Sequence, residues 1–229
     1  MPLLTTGAGI FDGAALPGPP TFVNTGFTNS ASGSFPNYTA SIPIGSAAAN
    51  RRVFVLFIAV TGVTSTFSGT INGVPATFTF IDTQSASASE TWLATAVVPS
   101  GTGNVDFNIT ASNTFFGFGA AVWTATDTDL ISSVPFGIST TQNAGGDFAT
   151  GLVNVPAQGS VIAFYNSFGQ SGTDQDFTTP NSIGVVFEAR FGIVGAAGVK
   201  NNASAETNGS VTGTATGSGN PLITLASFR

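Results

Sequence analysis

The residues of this chain best placed to do chemistry are two close pairs of carboxylates, Asp127-Thr128-Asp129 and Asp174-Gln175-Asp176. Two carboxylates one residue apart can share a Ca2+, which takes about six to eight oxygen ligands. Neither pair sits in an EF-type loop, and a solvated loop tip accounts for both. Asp82, Glu90, Asp106 and Glu188 offer another kind of chemistry. A glycosidase needs two carboxyls roughly 5–10 Å apart in a cleft, and no spacing among these four favours one. Histidine and cysteine, which supply most transition-metal ligands and many nucleophilic dyads, are missing from all 229 residues. The expectation is a non-enzymatic protein with no metal and no cofactor.

Charge narrows the partners further. Five basic residues stand against 11 acidic ones, and only Arg51-Arg52 are adjacent. Phosphate-backbone binding needs clustered cations, so no nucleic-acid partner is expected. The longest apolar run, VFVLFIAV at 53–60, is eight residues long. A helix needs about 20 to span a bilayer, so no membrane insertion is expected. The N-terminal stretch has neither a basic region nor an uninterrupted apolar core, which argues against a signal peptide. Trp92, Trp123, Tyr38 and Tyr165 could stack on sugar rings. The two tryptophans lie inside apolar strands, which points instead to core burial.

These residues must be carried by strands. Arg52–Val60 is β-branched and aromatic without alternation, as a strand covered on both faces would be. Thr70-Ile71, Asn72-Gly73 and Val74 form a hairpin, because Asn-Gly accepts the positive φ of a type I′ turn. Further strands are read at 21–28, 39–44, 77–81, 91–98, 104–110 and 116–125, and then at 148–155, 160–166, 183–191, 195–201, 205–214 and 222–228. The segment 166–180 reads as a polar loop. No ten-residue amphipathic helix occurs. Turn signals every 8–15 residues or so over a dozen short strands predict an all-β fold, a two-sheet antiparallel jelly-roll-like β-sandwich. Residues 21–229 form one such domain in this reading. Val53, Val55, Phe57, Ala59, Val161, Ala163, Val186 and Ile223 are its expected core.

Residues 1–20 differ. Glycines alternate with small residues, and Pro17, Pro19 and Pro20 stiffen the end. Such a segment cannot build a core of its own, yet it carries Leu3, Leu4, Ile10, Phe11 and Leu16. It reads as an extended anchoring arm that docks on a neighbouring protein; a disordered terminus and packing along its own sheet edge are the alternatives. A second candidate interface lies in TFFGF at 114–118. Phe116 and Phe118 share one face there and Phe115 takes the other. One face fills the core and the other is covered by a second sheet or by a neighbouring subunit, which makes Phe115 the candidate contact for a neighbour.

The order of segments carries a resemblance. RRVFVLFIAVTG leads to the hairpin GTINGVPATFT, then to ETWLATAVVPSGTGNVDFNI, FGAAVWTATDTDL, GSVIAFYNSF, VVFEARFG and SVTGTATGSGNPLITLASF. From about residue 50 to 229 this resembles a β-sandwich module recurrent in tailed-bacteriophage virion structural proteins, in tail fibres, tail tips or head surfaces. The resemblance implies a virion component made in the host cytoplasm, a homo-oligomer in contact with other tail or capsid proteins. It carries no catalytic residues over. Two other readings stay open at this point: a carbohydrate-binding or adhesin domain recognising a host-surface glycan, and a sandwich-fold polysaccharide hydrolase.

Overall fold

A computed structural model describes residues 21–30, 35–84, 89–126, 135–142, 148–168, 175–178, 184–189, 193–203, 205–215 and 220–229. These residues form strands joined by turns, with no helix among them. The first half holds β1 (Phe22–Ser30), β2 (Phe35–Pro43), β3 (Arg52–Val60), β4 (Phe67–Ile71), β5 (Val74–Pro75), β6 (Thr77–Gln84), β7 (Ser89–Val97), β8 (Asn104–Phe115) and β9 (Gly117–Ala125). The second half holds β10 (Gly137–Gln142), β11 (Phe148–Val155), β12 (Gly159–Phe168), β13 (Gln175–Thr178), β14 (Gly184–Ala189), β15 (Ile193–Ala203), β16 (Glu206–Ala215) and β17 (Asn220–Phe228). All strand pairs are antiparallel. The fold class is therefore the expected all-β sandwich type.

The number of layers is not the expected one. The described residues form four sheets: sheet I (β2-β8-β4-β5), sheet II (β1-β9-β3-β7-β6), sheet III (β10-β17-β12-β15-β14) and sheet IV (β11-β16-β13). Three hydrophobic cores separate them. Ile42, Phe67, Phe107 and Ile109 of sheet I meet Val53, Val55, Phe57 and Val122 of sheet II. The opposite face of sheet II sends Phe22, Phe54, Leu56, Leu93 and Trp123 against Ile162, Phe164, Leu222 and Phe228 of sheet III. Beyond that, Val161, Ala163, Tyr165, Ile223 and Leu225 meet Val153, Val155 and Val211 of sheet IV. The sheets therefore stack in the order I–II–III–IV. Strand chemistry explains the order. β8 alternates apolar and polar, as a sheet with one solvated face requires, and its burial alternates along most of its length. In β9 every residue is buried, as in a sheet covered on both faces.

The two halves share one strand order. Matching β1 to β10, β2 to β11, β3 to β12, β4 to β13, β6 to β14, β7 to β15, β8 to β16 and β9 to β17 turns sheet II into sheet III. The same matching turns the β2-β8-β4 part of sheet I into sheet IV. Register agrees: Val53 stands opposite Thr124 as Val161 stands opposite Ser227. β1 lies against β14 and β15, and β10 lies against β6. Lateral order thus reverses between the inner sheets, so the halves face each other across an approximate two-fold axis parallel to the strands. This is the isologous geometry of a symmetric dimer, built inside one chain.

Of the expected core, Val53, Val55, Phe57, Ala59, Val161, Ala163 and Ile223 are buried. The side chain of Val186 lies outside the described residues. The segment read as a loop at 166–180 contains β13, paired with β16.

Candidate functional site

Among the described residues the acidic side chains do not converge, and the side chain of Glu188 lies outside them. Asp127, Asp129 and Asp174 lie outside the described residues. Asp176 is in β13 opposite Thr214, a strand position and not a loop tip. No group of three or more His, Cys, Asp or Glu capable of holding a metal occurs among the described residues. Glu90 is fully buried. Its Oε1 accepts from the Ser65 N–H (2.9 Å) and its Oε2 from Trp92 Nε1 (3.2 Å). Oε1 therefore fastens the loop after β3 to β7, and Oε2 is engaged by an indole of β7 itself. Asp82 sits on neighbouring β6 and accepts from Thr140 of sheet III, on the other side of sheet II from the core that holds Trp92. Asp106 is exposed on β8 of sheet I. These three acids share no cleft.

The four aromatics considered for sugar stacking belong to cores. Trp123 and Tyr165 are fully buried, and Trp92 is nearly so. Tyr38 is half-buried against Phe35, Phe115 and Phe118. The sequence expectation of core burial for both tryptophans holds.

Phe115 requires a correction. It is buried in its own chain, with its ring against Phe35, Tyr38 and Phe67. The chain turns a corner at Phe116, leaving sheet I at the end of β8 and entering sheet II at Gly117. Alternation is broken at that corner, so Phe115 and Phe118 both enter the first core and Phe116 is left 52% exposed. The remaining interface candidates, Leu3, Leu4, Ile10, Phe11 and Leu16, lie outside the described residues.

Sequence reasoning treated Arg51 only as half of a basic pair. The structure makes it a knot. Its Nε donates to the carbonyl of Val98 (3.0 Å), Nη1 to those of Ile44, Gly45 and Ser46, and Nη2 to those of Ser100 and Gly101. Burial lowers its pKa from the ordinary arginine value. The guanidinium gathers the turn before β3 and the turn after β7 at one end of the stack. The start of β1 lies at that same end, since Phe22 pairs with Ala125, which pairs with Arg52. We call it the proximal end. Phe116 and the loop containing Val63 lie at the opposite, distal end, beside Val60.

Among the described residues Phe80 and Leu152 are exposed in mid-strand on β6 and β11, and the other exposed large apolar side chains lie toward the two ends. Val63 and Phe116 stand at the distal end, and Val23, Val97 and Phe136 at the proximal end, with Ile138 next along β10. The last two fall in a stretch to which the sequence assigned no element. Compared with protein-family models and with curated proteins, the chain matches none.

Proposed function

We propose that the protein is a non-enzymatic structural component of a multi-copy assembly, of the kind the sequence resemblance suggests: a bacteriophage virion protein on a tail or capsid surface, anchored by its N-terminal arm. One observation carries the reading. The arm joins β1 at the proximal end, while the exposed Phe116 and Val63 stand at the far end of strands about nine residues long, roughly 30 Å away. A rigid slab with an attachment end and a contact end is suited to being held by one face and to presenting another. Of the acids and aromatics that a hydrolase or a glycan-stacking module would draw on, Glu90, Trp92, Trp123 and Tyr165 are buried inside the fold.

Deleting residues 2–18 tests the proposal. The expected result is a melting temperature nearly unchanged from that of the full chain, with loss of the oligomer seen by light scattering and of co-sedimentation with particles. A wild-type chain that stays monomeric at micromolar concentration and is absent from particles overturns it, as does unfolding of the truncated protein.

A further inference from the structure

The internal two-fold axis produces two seams where the edges of sheets II and III meet, and the two are finished differently. At the first, Phe22 enters β1 buried against Phe54 and Phe228, with ring centroids 4.8 and 5.0 Å away. Asn201 of β15 clamps its backbone: Oδ1 accepts from the Phe22 N–H (2.8 Å) and Nδ2 donates to its carbonyl (2.9 Å). Register identifies the counterparts at the second seam. Val23 faces Thr124 as Gly137 faces Ser227, so Phe136 stands where Phe22 stands. Thr95 pairs with Phe54 as Val199 pairs with Ile162, so Val97, two residues on, takes the place of the bulge in β15 that carries Asn201. Valine cannot clamp a backbone. Phe136 is left 63% exposed, Val97 44% and Ile138 38%.

Beside Val97, directly across the strand pair, is Arg52. Its Nη1 is buried with no hydrogen-bond partner. Asn24 Nδ2 and Trp123 Nε1, on strands of the same sheet, are likewise buried donors without acceptors. A buried guanidinium nitrogen with no acceptor is costly. Arg52 is half-buried, so this rim combines apolar surface with a cationic side chain whose inner nitrogen has no acceptor.

Residues 1–20 carry the complement. Asp12 is their single charged residue, and it follows Ile10 and Phe11. We propose that this rim, made of Arg52, Val97, Phe136 and Ile138, receives the N-terminal arm of a neighbouring copy, with Asp12 meeting Arg52 and Ile10 and Phe11 covering Val97 and Phe136. The inference rests on the anchoring role proposed above and names the partner as a second copy of this chain. The arm leaves from the same proximal end that carries the rim, so two copies that exchange arms reciprocally close into a two-fold dimer, whereas a one-way exchange builds a ring or a filament.

A charge swap tests it in the full-length protein. Asp12→Arg and Arg52→Asp each weaken self-association by about tenfold or more, read by light scattering, while circular dichroism and melting remain those of the wild type. Mixing the two single variants restores the oligomer, because the arm of one fits the rim of the other; the double variant restores it alone. Should Arg52→Asp fail to fold, Phe136→Asp on the exposed ring replaces it as the rim variant, and lost self-association with wild-type melting is its expected result. Three outcomes overturn the proposal: single variants that self-associate like the wild type, a mixture that fails to recover, or recovery confined to a monomeric double variant whose arm closes on its own rim. If the single variants are silent but the arm deletion still dissociates the wild-type oligomer, only the rim assignment falls. A monomeric wild type removes both readings.

Discussion

Phe54 and Phe57, on the same strand β3, lie in different hydrophobic cores. Phe57 meets Phe67, Phe107 and Phe118 between sheets I and II, while Phe54 meets Phe22 and Phe228 between sheets II and III. Each substitution, Phe54→Ala and Phe57→Ala, is expected to cost about 3–5 kcal/mol in chemical denaturation. The two differ in what they loosen. Phe54→Ala opens the layer between the halves, so hydrogen exchange is expected to rise in both β9 and β17. Phe57→Ala leaves β17 protected. Identical exchange patterns for the two variants would show that the inner layers do not act as separate cores.

Arg51 should be irreplaceable by another cation. Lysine keeps the charge but brings one compact ammonium in place of a planar fork, and it cannot reach six carbonyls spread over two turns. Arg51→Lys is expected to destabilise by about 2–4 kcal/mol, since buried carbonyls lose their donors. A urea midpoint within error of the wild type would refute this.

The two Asn-Gly steps should age at different rates. Both asparagines have positive φ, 51° at Asn72 and 53° at Asn208. Deamidation forms a bond from the glycine nitrogen to the asparagine Cγ, expels ammonia and is completed by water opening the ring. At Asn72 the leaving amide is held by the Ser100 carbonyl (3.3 Å). At Asn208 the side chain is exposed, and the bond to Asn154 Oδ1 engages only its backbone N–H. On mild alkaline incubation, peptide mass spectrometry is expected to find Asn208 converted first. Asn72 leading would reverse the argument.

Fold class was legible because turn chemistry and β-branched runs are local signals. The layering was only half legible. The unbroken apolar run of β3 announced burial on both faces, and β9, β12 and β17 carry the same message, but the pairing of two inner sheets depends on which faces meet. β10 (GISTTQ) and β13 (QDFT) were missed for a physical reason. Their glycine, serine, glutamine and aspartate have weak strand preference, and pairing with β17 and β16 supplies the conformation. Phe115 was misplaced because alternation was carried across a corner. Arg51 was passed over because carbonyls leave no mark in a sequence. The apolar rim around Phe136 was invisible for a similar reason: it appears only when one half is compared with the other.

The antiparallel ladder between β1 and β9 also decides how the protein bears load. It runs from Phe22 opposite Ala125 to Ser30 opposite Phe118, so residue 21 and residue 116 sit at opposite ends of one ladder. Tension between the arm and the distal tip therefore pulls the two strands lengthwise past each other, and all the ladder bonds must yield together. Tension between residues 21 and 126, at the same end, peels the ladder open one pair at a time. Single-molecule pulling is expected to give a markedly higher rupture force in the first geometry than in the second. A particle tethered by the arm and touched at the tip would load this molecule along its strong axis.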